Sequence, residues 1–154
     1  MAQNSEMIEV LNDLILINND RVVGYQKAYD ETNETDMDLR TLYNQLADQS
    51  RQIASELSSE VITLGGEPAT GTMLSGKLYR TWMDVRAVFS SDDRQTSLDN
   101  SEFGEDAAQK AYDTALMSDD LTPELHTLIA TQKATLKTGH DTIKGLRDAE
   151  KVLH

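Results

Sequence analysis

The side chains of this sequence best placed to bind a metal ion inside a fold are three glutamates and one histidine: Glu56, Glu102, Glu105 and His140. They lie on or beside the apolar faces of segments with helical spacing, and their carboxylate and imidazole groups suit iron or manganese. A two-iron centre in a helical bundle takes two Glu-x-x-His pairs in addition to further glutamates. In this chain the residues three positions before the histidines are Pro123, Lys137 and Lys151. The ligand set for two irons is therefore incomplete.

Four polar residues interrupt the apolar stripes of four segments with helical spacing: Asn18, Ser50, Glu105 and Gln132. Each falls about 13 to 15 residues from the turn that connects the two segments of its own hairpin, so the four are expected at one height in a bundle. A hydrogen-bonded polar layer of this kind fixes helix register. The alternative is a metal or small-polar-ligand site. A buried Glu105 must be either paired or protonated, because burial disfavours an unpaired carboxylate.

The first half of the chain is predicted to form two helices, over residues 5–32 and 36–64, on the basis of apolar residues at steps of three, four and seven. Thr35 and Asp38 have the spacing of a capping box at the start of the second helix. Gly65-Gly66, followed by Pro68, predicts its end. The short turn between two long helices makes them antiparallel neighbours.

The second half is predicted to form a crossover helix over residues 73–89 and two long helices over 93–118 and 122–151. Thr122 can cap the last helix, with Pro123 at the first helical position. Trp82 and Met83 either fill the seam of the bundle or form a contact surface for a second copy or another partner. No strand pattern is found. The sequence predicts one all-α domain over residues 1–154, a four-helix bundle of two antiparallel hairpins with an additional crossover helix.

Acidic residues dominate the charge, with 27 Asp and Glu against 14 Lys and Arg and a formal net charge of −13. Such a surface repels phosphate groups, so neither nucleic acid nor a membrane is expected as a partner. Cysteine is absent, which excludes disulfides and thiolate metal sites. The start of the chain lacks the features of a signal peptide, and no apolar run approaches the ~20 residues of a membrane span. We expect a soluble, cytoplasmic protein.

Short segments spread over nearly the whole chain carry a resemblance to a known family: Leu11-Asn12-Asp13-Leu14, Asn18-Asn19-Asp20, Gly24-Tyr25, Leu64-Gly65-Gly66-Glu67-Pro68, Arg80-x-Trp82-Met83-Asp84, Glu102-Phe103-Gly104-Glu105-Asp106-Ala107-Ala108 and His140-Asp141-x-Ile143-x-x-Leu146-Arg147-Asp148. They resemble an uncharacterised bacterial four-helix-bundle family, a domain of unknown function, in the ferritin-like superfamily. The resemblance implies ferritin-like topology and a bacterial, cytosolic distribution, and it brings no activity with it.

Three functional hypotheses follow. The first is a ferritin-like bundle that lacks a complete dinuclear metal site and a resident cofactor, is either non-catalytic or carries an activity that its residues do not reveal, and is stress-related by analogy with its superfamily. The second is an iron- or manganese-binding oxidoreductase or iron-handling protein that uses Glu56, Glu102, Glu105 and His140. The third is a scaffold or partner-binding module, with a homo-oligomer such as a dimer formed through Trp82 and Met83.

Overall fold

The computed structural model describes residues 2–72 and 94–153, which form four helices and no strand. The helices are Ala2–Glu31 (α1), Met37–Thr63 (α2), Arg94–Leu116 (α3) and Pro123–Leu153 (α4). The predicted all-α class is confirmed. The crossover helix expected at 73–89, with Trp82 and Met83, lies outside the described residues.

The four helices pack as two hairpins, α1 with α2 and α3 with α4, and α1 also packs against α3. Side-chain contacts show that α1 and α3 are antiparallel, since Asn18 meets Tyr112 while Arg21, further along α1, meets Glu105, earlier in α3. With an antiparallel hairpin on each side, the order of directions is up, down, down, up. This order requires the long connection between α2 and α3, because those two helices run the same way.

Local sequence sets the helix ends, and the end of α2 and the start of α4 are formed by the residues predicted for them. Gly65 follows α2 in a left-handed conformation with φ +88°, and its N–H donates to the carbonyl of Ile62 at 2.9 Å. Glycine reaches this conformation without the Cβ penalty. At the start of α4, the Thr122 hydroxyl accepts the N–H of Leu125 at 3.2 Å, and Pro123 is the first helical residue.

The capping box predicted at Thr35 and Asp38 is wrong. Residue Asp36 precedes the first residue of α2 and makes no side-chain capping hydrogen bond. The Thr35 hydroxyl and backbone N–H both donate to the Asn33 side-chain oxygen at 2.9 Å. The Thr35 hydroxyl therefore takes part in this local turn and does not cap α2. Asn and Thr side chains readily form such local hydrogen bonds in competition with helix capping.

The chain that leaves α2 is tied to α1 by asparagine side chains. Asn12 holds it twice, donating from Nδ2 to the Glu67 carbonyl at 3.1 Å and accepting the Ala69 N–H at Oδ1 at 2.8 Å. Two turns further along α1, Asn19 donates to the Gly71 carbonyl at 2.8 Å. These bonds satisfy backbone groups that have no helix or sheet partner, and they start the crossover along the side of α1.

The core consists of two apolar clusters, one toward each end of the bundle. On α1, for example, Leu11 and Ile17 belong to one cluster and Tyr25 and Ala28 to the other. The same division is found on every helix. On α1, α2 and α3 the buried side chains between the two clusters are polar, among them Asn18, Ser50 and Glu105. The bundle therefore has a polar layer with an apolar core on each side of it.

Candidate functional site

A buried ion pair lies in the middle of the bundle, between α1 and α3. The Arg21 Nε atom donates to Glu105 Oε1 at 2.6 Å, and each side chain is 1% exposed. Burial alone would lower the pKa of Arg21, but the charge of Glu105 and its hydrogen bond raise it above its usual value. Of the two states expected for a buried Glu105, the structure shows the paired one. The partner, Arg21, was not predicted from the sequence.

The guanidinium of Arg21 also reaches α2. Its Nη1 donates to Ser50 Oγ at 2.5 Å, and the Ser50 hydroxyl donates in turn to Asn18 Oδ1 at 2.9 Å. The Asn18 amide then donates to the Tyr112 hydroxyl at 3.0 Å and to the Leu14 carbonyl at 2.9 Å. One hydrogen-bonded chain therefore connects α1, α2 and α3.

The same chain continues through α4 to the surface. The Tyr112 hydroxyl donates to Gln132 Oε1 at 2.9 Å, and the Gln132 amide donates to Glu56 Oε1 at 3.3 Å. An arginine has only donors and a carboxylate only acceptors, so every bond in the chain points away from Arg21 and ends on a carboxylate. Burial raises the pKa of Tyr112, against the hydrogen bond from Asn18, so the hydroxyl keeps its proton and acts as a donor here.

The structure thus brings together the four residues that the sequence placed in one layer. Asn18, Ser50, Glu105 and Gln132 are between 0% and 3% exposed. They are joined through Arg21 and Tyr112, which sequence analysis did not assign to the layer. The sequence does contain a signal that Arg21 faces the core, because it lies three residues after Asn18 and four before Tyr25, on the same face of α1. A basic residue on an apolar face, at the height of a buried glutamate, predicts an ion pair.

Tyrosines on α1 and α2 cover one side of the ion pair. The rings of Tyr25 and Tyr43 stack with centroids 5.6 Å apart, and the Arg21 guanidinium lies 5.4 Å from the Tyr25 centroid. Burial and the charge of Glu105 raise the pKa of Tyr25 well above its usual value. The Tyr43 hydroxyl shares a hydrogen bond of 2.6 Å with Ser97. Aromatic surface therefore covers this side of the buried ion pair, which lies in a low-dielectric environment.

Gly139 of α4 allows that helix to approach the ion pair. A Cβ atom at this position would lie 2.8 Å from Leu46 Cδ2, 3.1 Å from Glu105 Oε2 and 3.4 Å from Arg21 Nη2. An alanine would not fit without movement of these buried groups. Glycine is unfavourable in a helix interior, so its presence here is explained by close approach rather than by helix formation.

The proposed metal ligands are engaged in separate interactions. Glu102 pairs with Arg147, and His140 contacts Asp106 through Nε2 at 2.6 Å and Asp141 through Nδ1 at 3.1 Å. Burial would lower the pKa of His140, but the hydrogen bonds of Asp141 and Asp106 raise it overall. Within residues 2–72 and 94–153, no three His, Asp or Glu side chains are grouped so that they could hold a metal ion.

Comparisons with known proteins agree with this architecture. The model of a family described as Domain of unknown function (DUF2383) matches residues 6–118. A solved structure of a mutant of Mycobacterium smegmatis Dps1 is similar over 95% of this chain and 97% of that chain, with a TM-score of 0.80 and 16% sequence identity. No curated protein matches. At this identity the structural likeness shows the fold, and the predicted ferritin-like four-helix bundle is confirmed. None of the described helices is long and apolar enough to cross a membrane.

Proposed function

This chain belongs to the family described as Domain of unknown function (DUF2383), and on that premise we propose that it is a ferritin-like bundle protein whose centre is a structural ion pair in place of a dinuclear metal site. In this proposal the protein is not an enzyme. The Arg21–Glu105 pair and its hydrogen bonds fix the register of the four helices. The stress-related role stays a prediction that rests on analogy with the superfamily.

The observation that carries the proposal is the position of Arg21. Its guanidinium is 2.6 Å from the one carboxylate of the polar layer and is itself buried. A metal cation bound at Glu105 would lie beside a fixed positive charge in a low-dielectric interior, where repulsion between like charges is strong. The Glu105 carboxylate is already neutralised by a partner that cannot lose its proton. The donor set at the centre therefore does not fit two metal ions.

The remaining layer residues are suited to hydrogen bonding rather than to metal ligation. Asn18, Ser50 and Gln132 are neutral, and each uses its side chain both as donor and as acceptor within the chain of bonds. Iron and manganese centres in bundles use carboxylates and imidazoles instead. A buried polar network in an apolar core favours one helix register over others, because a shift of one helix would break the hydrogen bonds that connect it to the others.

Metal analysis of the purified protein tests the proposal. The protein is expressed without affinity-tag histidines, in medium supplemented with iron, manganese and zinc, and its metal content is measured by elemental analysis. We expect no stoichiometric metal and no rise of the urea midpoint when Fe²⁺ or Mn²⁺ is added. A metal ion that binds only the folded state would raise this midpoint. Two equivalents of metal per chain, lost in Glu105→Gln, would overturn the proposal and support the oxidoreductase hypothesis.

The scaffold hypothesis depends on Trp82 and Met83, which lie outside the described residues. Homo-oligomer formation therefore stays a prediction. Sedimentation velocity over a range of protein concentrations tests it. A concentration-dependent oligomer that Trp82→Ala weakens would support an interface there, and a monomer at every concentration would contradict it.

A further inference from the structure

One side of the bundle, formed by α1 and α3, carries residues that are buried although they point away from the core. We refer to this side as the outer α1–α3 face and define it by Asp20 and Gly24 of α1 and Asn100 and Gly104 of α3. All four residues are buried, with Asp20 4% and Asn100 7% exposed. A polar side chain on the outside of a four-helix bundle is normally solvated, so this face has a cover.

Helix geometry shows that neither α2 nor α4 supplies the cover. Asp20 lies about 160° around α1 from Asn18, whose side chain accepts a hydrogen bond from α2. In the same way, Asn100 lies about 160° around α3 from Glu102, which pairs with α4. Both side chains therefore point away from the second helix of their own hairpin, and the covering group comes from elsewhere in the chain.

Two glycines lie close in height on the outer α1–α3 face. Gly24 is three residues after Arg21, and Gly104 is one residue before Glu105. Because α1 and α3 are antiparallel and the ion pair joins them, the two glycines differ in height by only about 3 Å. Glycine lowers helix propensity, and close approach of a covering group accounts for it at two buried positions inside long helices.

The chain between α2 and α3 reaches this face from both of its ends. Gly71 is bonded to Asn19 of α1, and Arg94, the first residue of α3, lies six residues before Asn100. Asn19 is two residues before the ion pair on α1 and Arg94 eleven residues before it on α3, which places them about 20 Å apart along the bundle. The crossover helix predicted over residues 73–89 would be about 25 Å long, so it matches this distance.

The sequence of that helix suits a partly apolar, partly acidic face. Its large apolar residues follow one another at steps of four, three and four, which places them on one side of a helix: Leu78, Trp82, Val85 and Phe89. Beside them are three cations: Lys77, Arg80 and Arg86. Positive charge stabilises a buried carboxylate such as that of Asp20. Asn100 Nδ2 is also buried and has no acceptor within residues 2–72 and 94–153, and a covering segment can supply one.

We propose that the crossover segment, residues 73–93, docks on the outer α1–α3 face of its own chain, with Trp82 packed over Gly24 and Gly104. Of the two roles that the sequence allows for Trp82, this assigns the one within the bundle and leaves the residue inaccessible to a partner. The proposal does not depend on the ion pair replacing a metal site. Bound metal would therefore overturn the preceding proposal and leave this one unchanged.

Fluorescence of Trp82 tests the proposal directly, because this is the only tryptophan in the sequence. In the folded protein we expect emission at shorter wavelength than in urea, and an acrylamide quenching constant several-fold lower than that of the unfolded chain. Both should be the same at every protein concentration. Quenching as strong as in the unfolded chain would overturn the proposal. Protection that is lost on dilution would also overturn it, because it would place Trp82 between two copies of the chain.

A bulky residue in place of one glycine identifies the docking face. Gly104→Leu should displace the indole, so that emission of the folded protein shifts to longer wavelength and acrylamide quenching rises several-fold. Gly145→Leu is the control on α4, where an added Cβ atom has no neighbour within 4 Å, and it should change neither. Gly104→Ala is the smaller substitution to use if the leucine prevents folding. Unchanged emission in a folded Gly104 variant would contradict the proposed contact.

A double-mutant cycle separates this contact from crowding between α1 and α3 themselves. Trp82→Ala and Gly104→Leu should each lower the urea midpoint, the first by removing packed apolar surface and the second by overpacking. Loss of the indole makes room for the leucine, so the double variant should lose less stability than the sum of the two single losses. Additive losses would mean that the two residues do not touch, and they would overturn the proposal.

Discussion

Replacing Arg21 by methionine should strongly destabilise the fold, because it leaves Glu105 buried without its cation. Both side chains are 1% exposed, and the substitution also removes the donor to Ser50. Breaking a buried pair by removing one partner costs about 3–5 kcal/mol. This is a large share of the roughly 5–15 kcal/mol by which a domain is stable. If the free energy of unfolding falls by about 2 kcal/mol per M of urea, the urea concentration at the unfolding midpoint should fall by about 2 M.

The double variant Arg21→Met/Glu105→Met shows whether the loss arises from an uncompensated charge. Well-packed apolar side chains in place of a buried ion pair are often neutral or stabilising, so the double variant should recover most of the stability lost by Arg21→Met. The coupling is obtained from a double-mutant cycle of urea unfolding free energies, followed by circular dichroism. Arg51→Met, which breaks the exposed pair with Asp48, serves as the control and should cost under about 1 kcal/mol.

Two results would refute this reasoning. The first is a loss for Arg21→Met no larger than that of Arg51→Met, since it would show that Glu105 is not dependent on its partner. The second is a double variant as unstable as the sum of the two single variants, because additive losses mean that the two charges do not interact.

Two further predictions concern α4 and its contacts. Gly139→Ala should lower the free energy of unfolding in urea by about 1–3 kcal/mol, because the new methyl group would lie 2.8 Å from Leu46 Cδ2. Gly145→Ala is the control, since a Cβ atom there has no neighbour within 4 Å. It should raise the free energy of unfolding by roughly 0.5–1 kcal/mol through the higher helix propensity of alanine. Equal effects of the two alanines would contradict the close approach. Because contacts with Asp141 and Asp106 raise the pKa of His140 in the folded state, its stabilising contribution should be fully present below the unfolded value of 6.5 and lost as the pH rises through the raised value. Wild type and His140→Gln compared by urea unfolding across this range should differ most at the acid end, and a difference that is constant with pH would contradict the prediction.

Much of the fold follows from local sequence. Helix spacing gives four long segments, and the Gly65-Gly66 and Thr122-Pro123 signals give two of their ends, because helix caps depend on residues within one turn. The failure at Thr35 has the same origin. The Asn33 side chain offers a competing local hydrogen-bond acceptor, and the Thr35 hydroxyl and N–H donate to it.

The candidate site was accessible from the sequence only in part. The polar positions could be found because each interrupts an apolar stripe on its own helix, and their shared height follows from equal distances to the turns. Their partners could not be assigned with the same ease, because a hydrogen bond between helices depends on the rotation and separation of both. The role of Gly139 depends on how closely α4 approaches Glu105, and it has no signal within its own helix.

The sequence by itself therefore determined the helical class, the two hairpins, and the polar interruption of each apolar stripe. These properties are periodic or local, and they can be read from residue types and their spacing. Only the tertiary structure decided that Arg21, rather than a metal ligand, faces Glu105, and that Tyr112 and Gln132 extend the hydrogen bonds to Glu56. The physical reason is that pairing across helices is set by packing of all four helices together, and that the charge state of a buried carboxylate depends on which group packing places beside it.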